Sequence, residues 1–142
     1  AGYRCSDALC TVLQITNHRQ DCGDDRRSLD RVYMIEPWLL EAGGTIADLD
    51  KTSASPVLRK VMDRMLDGCE ALMADARALP AALKSRHLAM ESAVIVNLAA
   101  RLIAILRKGD PLASRVALTK FDFTRAGMGG AITGFFSAGT GA

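Results

Sequence analysis

Apolar residues along this chain recur mostly at steps of three and four, the spacing that lays one stripe along a helix. After Ser55-Pro56, the residues Leu58, Val61, Met62, Met65, Leu66, Cys69, Leu72, Met73 and Ala76 keep that step and predict a helix over about 56–79. Proline suits its first turn, because the amide it lacks would have had no partner there. A second long helix is expected over about 85–108, with Leu88, Val94, Ile95, Leu98, Leu102, Ile103 and Leu106 buried and Gly109-Asp110-Pro111 as its stop. Residues 6–24 predict a first helix carrying Ala8, Leu9, Val12, Leu13 and Ile15, with Ser6 or Asp7 as its cap. The charged run over 24–31 reads as a solvated loop. Short helices are expected at 38–42 and 45–49, and residues 112–125 are amphipathic enough for one more. The glycine-rich stretch 126–142 reads as a frayed or loosely packed tail, so the domain is taken as 1–125. The expected fold is all-α.

Composition narrows the class further. Alanine and leucine outnumber valine and isoleucine 39 to 14, a bias toward helices and away from a sandwich or a parallel sheet. An apolar content of 49% argues against disorder over the first 120 residues. A net charge of +2, with the basic residues scattered, gives no footprint for nucleic acid. Cys5, Cys10, Cys22 and Cys69 form no CxxC pair and no zinc spacing, so a reduced, cytoplasmic chain is expected. The longest uncharged stretch, 126–142, is too glycine-rich to make a good spanning helix, and no signal-peptide pattern is visible.

The informative chemistry lies on the first helix. With successive residues turned by about 100°, Gln14, Asn17, His18, Asp21 and Asp25 all fall within an arc of roughly 100°. Asn17 bounds that arc on one side and His18 on the other, with Asp21 and Asp25 flanking Gln14 between them. These groups line one edge, and Asp24 sits off it. Asp21 and Asp25 are one turn apart and repel, so a cation is expected between them. Hard oxygen ligands on one face suit Mg²⁺, which keeps several waters and bridges to phosphates. The competing expectation is an exposed acidic helix end. The apolar turns just before this edge favour a cleft instead.

The residues here resemble a known family. Leu13-Gln14-Ile15-Thr16-Asn17 through Asp25, followed by Asp30-Arg31-Val32-Tyr33, resembles the second aspartate-rich motif of squalene and phytoene synthases. Within that family the run is most similar to the bacterial hydroxysqualene synthases of hopanoid biosynthesis, as are Ser92-Ala93-Val94-Ile95 and Gly109-Asp110-Pro111-Leu112. Arg26 departs from the aromatic residue common there, and Met34-Ile35-Glu36 replaces the customary Leu-Pro.

The resemblance, over about residues 6–123, implies the C-terminal part of an isoprenoid-synthase-type helical bundle, here a partial one. It implies Asn17, Asp21 and Asp25 as Mg²⁺ ligands and Gln14 and Arg31 as diphosphate contacts, with Asp21, Asp25 and Tyr33 in the catalytic set. The implied reaction converts presqualene diphosphate to hydroxysqualene. The alternatives are head-to-head condensation of prenyl diphosphates, as in presqualene diphosphate or phytoene synthases, or a non-catalytic helical remnant. The family's first aspartate motif lies in an N-terminal half, and nothing before Ser6 supplies it. The expected partners are therefore that half and an isoprenoid diphosphate, with peripheral contact to the inner membrane, and the 142 residues alone are expected to be inactive. His18 is read as a polar residue at the cleft edge, Trp38 as a packing anchor. The methionines of 62–73 are open to two roles, isoprenoid cavity or core.

Overall fold

The computed structural model describes the backbone of residues 2–137 and the side chains of residues 2–129. Six α-helices follow one another: α1 Gly2–Leu29, α2 Glu36–Glu41, α3 Pro56–Ala76, α4 Leu79–Ala82, α5 Arg86–Lys108 and α6 Lys120–Ser137, with a 3₁₀ turn at Ile46–Asp50. No strand occurs among the described residues, so the expected all-α class holds.

The predicted starts at Ser55 and Ser85 are real caps, whereas Ser6 and Asp7 do not cap the first helix, because α1 already runs from Gly2. The Ser55 hydroxyl accepts from the Leu58 amide at 3.2 Å, and the Ser85 hydroxyl from the Leu88 amide at 3.4 Å. The apolar stripe of α3 is buried nearly as predicted, with only Leu72 half-buried. Its methionines Met62, Met65 and Met73 are core residues packed among apolar neighbours, which decides between their two roles.

Two buried clusters carry the fold. One joins the first half of α1 to the C-terminal half of α3, α4, α5 and Val116. The other joins Cys22 of α1 to Met34, α2, the 3₁₀ turn, the start of α3 and Leu112. Thus α1 belongs to both, and it is pinned along its whole length. Arg4 grips Asp75 at 2.7–3.0 Å, the Gln20 amide donates to the Val116 carbonyl at 2.6 Å, and Arg26 holds Asp50 at 2.7 Å.

Three further expectations need correction. First, α1 does not stop near Gly23 but runs on to Leu29. Gly23 is there because the loop after α5 crosses at that point: a Cβ would lie 3.0 Å from the Pro111 carbonyl and 3.1 Å from Leu112. The charges that read as a loop instead pair on the helix, Arg27 with Asp24 at 2.7 Å. Second, α5 buries small residues, Ala89, Ser92, Ala93, Val96 and Ala99, ahead of Leu102, Ile103 and Leu106. Leu88 and Ile95, expected inside, are exposed, at 51% and 40%. Val94 and Leu98 are half-buried. Third, 112–119 is not helical. Leu112 and Val116 plug the two clusters, and α6 starts only after Thr119. From there α6 runs unbroken across 125/126 to Ser137, through glycines that suggested a loose tail; residues 138–142 lie outside the described set. By length and composition α5 could cross a membrane, yet its small-residue stripe is packed in the core.

Thr119 and Asp122 form a reciprocal cap for α6. The Thr119 amide and hydroxyl donate to Asp122 at 2.9 and 2.7 Å, and the Asp122 amide returns a bond to the Thr119 hydroxyl at 3.2 Å. Arg101 of α5 adds a 2.6 Å ion pair. The Thr119 amide, its hydroxyl and then Arg101 hold the Asp122 carboxyl down at about 2. A carboxylate depressed in the folded state stabilises it fully above its ordinary value near 4 and loses that contribution as pH falls toward 2. We therefore expect α6 to become protease-sensitive between about pH 4 and pH 2, and Asp122→Asn to show the same sensitivity at neutral pH.

All four cysteines are free; Cys10 is exposed and the other three buried. Burial pushes the Cys22 thiol up to about 11, and Cys69 in the same direction. In a thiol-labelling experiment at pH 8, Cys10 should react at once and Cys22 and Cys69 only in denaturant. Fast labelling of Cys22 would show that the contact of Gly23 with Pro111 opens readily.

Candidate functional site

The site is built on α1 and on the turn that ends it. Asp30 takes a left-handed conformation (φ 52°), and the Arg31 amide donates to the Asp25 carbonyl at 3.2 Å. This closure spans seven residues, one more than the 6→1 bond of a Schellman stop, and places aspartate at the left-handed position that glycine usually fills. It turns the chain back along α1, so residues 31–33 run beside the helix face they have just left.

The result is a compact cluster. The Tyr33 hydroxyl donates to an Asp25 carboxylate oxygen at 2.8 Å. An Arg31 guanidinium nitrogen lies 3.5 Å from that hydroxyl, a contact that raises the arginine's pKa and keeps it charged. The His18 ring stacks on the Tyr33 ring, with centroids 4.1 Å apart and 15° between planes. His18 is thus a half-buried platform for the tyrosine, in keeping with its reading as a cleft-edge residue.

Of the residues singled out from sequence, the turn brings Asp25, Arg31 and Tyr33 together. Gln14 and Asn17 stand exposed on α1, two to three turns away, and Asp21 is half-buried between them and Asp25. None of those three makes a side-chain hydrogen bond or ion pair among the described residues. The neighbouring cations are engaged elsewhere: Arg19 points into the core, Arg26 pairs with Asp50 and Asp30, and Arg27 pairs with Asp24. Arg31, beside Tyr33, offsets part of the Asp25 charge, whereas Asp21 has no cation paired with it among the described residues.

Among the described residues, no three His, Cys, Asp or Glu side chains converge as a metal cage. Asn17, Asp21 and Asp25 are hard oxygen donors at one-turn steps over about 12 Å of helix axis, so a Mg²⁺ ion held there would draw most of its shell from water and a phosphate group. The set does not fit a closed protein site.

A feature missed from sequence adjoins this edge. Tyr3, Ser6, Cys10 and Leu13 of α1, with Leu88 and Ile95 of α5, line an open, mostly apolar groove of about 710 Å³. The open apolar surface thus lies on α1 and α5, while the stripe of α3 is covered. On helix geometry, Tyr3, Cys10, Asn17 and Asp21 lie within about 40° of one another on α1. Apolar groove and polar edge are consecutive lengths of one face. Leu88 and Ile95 carried the signal, as large apolar residues out of register with the small-residue stripe of α5. Elsewhere, Trp38 packs half-buried against the second cluster, with Arg64 stacked 4.0 Å above its ring.

Comparison with known proteins fits this geometry. Residues 1–122 match the family model described as squalene/phytoene synthase. A hydroxysqualene synthase of Rhodopseudomonas palustris is 40% identical over 127 residues, covering 89% of this chain and 44% of the relative. One from Zymomonas mobilis is 39% identical over 111 residues, covering 78% and 37%. One from Sinorhizobium fredii is 33% identical over 129 residues, covering 91% and 44%. The chain thus spans less than half the length of the curated relatives it matches. No solved structure matches.

Proposed function

The chain belongs to the squalene/phytoene synthase family, and from that premise we propose that it acts in Mg²⁺-dependent ionisation of an isoprenoid diphosphate, converting presqualene diphosphate to hydroxysqualene. One observation carries this reading: a single face of α1 passes from an apolar groove to an edge of oxygen ligands. Cys10 and Asp21 are about 16 Å apart at 1.5 Å per residue, the scale of an extended isoprenoid tail and its head group. The relatives' names support the choice of product.

The chemistry divides between the two lengths of that face. In ionisation the C–O bond breaks and pyrophosphate leaves with the electron pair; the carbocation rearranges, and water adds and loses a proton. No reductant is consumed. Asn17, Asp21 and Asp25 would hold Mg²⁺, which neutralises the leaving anion. Gln14 and Arg31 bind diphosphate oxygens, Arg31 from the segment that the Asp30 turn folds back. Tyr33 orients the Asp25 carboxylate through its 2.8 Å bond and stands at the catalytic edge. The apolar groove, which is open along α1 and α5, would keep water from the cation only once the rest of a family bundle covers it.

The test is to incubate a chain as long as the relatives with presqualene diphosphate and Mg²⁺, following pyrophosphate and hydroxysqualene. Release of both supports the assignment. Turnover of farnesyl diphosphate alone, ending at presqualene diphosphate, would favour the condensation reading. Absence of either activity would favour a non-catalytic helical module.

A further inference from the structure

Arg19 is the one arginine that is completely buried, with 0% of its surface exposed. Its guanidinium donates to the Met62 carbonyl of α3 and, at 3.2 Å, to the Leu106 carbonyl of α5. No carboxylate bonds to it, and its Nε is buried without a partner. Burial first, and then Arg59, lowers its pKa to about 10 against an opposing pull from Asp63, so it remains a cation at neutral pH. A buried charge without a bonded counter-ion is costly, and an apolar residue of similar volume commonly serves stability as well or better. What a guanidinium adds is direction, because its donors form a rigid fork.

That direction bears on the site. On α1, Asn17 and Asp21 lie two residues either side of Arg19, each about 160° around the helix from it. The two bonds to α3 and α5 therefore clamp the face directly opposite the ligand edge. Apolar ridge-into-groove packing tolerates about 15–20° of variation in how a helix sits on its neighbours. Two divergent hydrogen bonds to fixed carbonyls are directional and narrow that range.

We infer that Arg19 is a positioning residue: by tying α1 to α3 and α5 it sets the roll of α1, and so aims Asn17, Asp21 and Asp25 and keeps His18 against Tyr33. The inference deepens, and rests on, the assignment of that edge as a metal-diphosphate site. The test separates the two.

The chain has two histidines, and His87 is exposed at the start of α5, so the ring protons of His18 can be assigned in a proton spectrum with a His87→Gln variant. Stacked on Tyr33, His18 should resonate upfield of His87. In Arg19→Met this upfield shift should be lost while the chain still melts cooperatively. In Met73→Ala, a core change that lowers Tm without touching the clamp, the shift should persist. A folded Arg19→Met with the His18 shift intact would overturn the proposal, as would loss of the shift in Met73→Ala. If Arg19→Met does not fold, Arg19→Lys takes its place: a reduced shift supports the clamp and an unchanged one refutes it.

Mn²⁺ serves as the metal probe in parallel. Arg19→Met should weaken its binding roughly tenfold, the scale of losing support behind a metal ligand. A wild-type chain that binds Mn²⁺ no better than Asp21→Asn would sink the metal assignment, and the His18 result would still decide the role of Arg19.

Discussion

Asp21→Ala, introduced into a chain that covers the relatives end to end, is expected to lower pyrophosphate release by roughly 10²–10³ or more while the helical circular dichroism is unchanged. The two halves of that result have separate causes. Asp21 makes no hydrogen bond or ion pair among the described residues, so its removal leaves nothing unpaired. It also relieves repulsion with Asp25 one turn on, so Tm should hold or rise slightly. Activity would have no such cushion, because a carboxylate that holds the cation neutralising a leaving anion matters most when charge develops in the transition state. A parallel loss of helicity and turnover would make Asp21 a structural residue. Asp25→Ala should differ: it also releases the Tyr33 hydroxyl and loosens the 31–33 segment, so steady-state KM is expected to rise along with the fall in kcat.

The second large effect is expected from these 142 residues assayed by themselves, which should give no detectable hydroxysqualene from presqualene diphosphate and Mg²⁺. One helix face offers Mg²⁺ two carboxylates and an amide, and a near-octahedral shell cannot be completed from it without many waters. The groove is open along α1 and α5, so a carbocation there would meet solvent early. Addition of a separately expressed N-terminal half of a relative should restore turnover if the family fold reassembles across α1. Turnover by the 142 residues at the rate of a full-length relative would show that the site is complete as it stands.

How far the fold could be read from sequence depended on whether the cause was local. Ser55, Pro56 and Ser85 are local signals, and α3 and α5 start where those residues place them. The end of α1 was misread because the reason for Gly23 lies 88 positions away at Pro111. Glycine and a charge run are the ordinary marks of a helix end, and only the close approach of another loop explains a glycine inside. On α5, size misled: large apolar residues were counted as core, while the tight packing in fact took alanines and Ser92, leaving Leu88 and Ile95 to face the groove. For α6 the signal is local, since Thr119-Lys120-Phe121-Asp122 has the spacing of a capping box. The ligand edge was legible as helix geometry, but the Tyr33–Asp25 bond required the left-handed turn at Asp30.

The crossing of Gly23 and Pro111 also bears on which length changes this gene could tolerate. One residue inserted between Gln14 and Gly23 would rotate everything after it by about 100° and advance it about 1.5 Å. Asp25 would swing away from Tyr33, and a side chain would arrive where its Cβ lies only 3.0 Å from the Pro111 carbonyl, so the crossing loop would have to shift. A deletion would do the same in the opposite sense. Insertions at Gly43, an exposed turn with φ 85° and open space around it, would meet no such stop. Among homologues, length variation should therefore gather around 43 and be absent from the α1 stretch, even where side chains there have diverged.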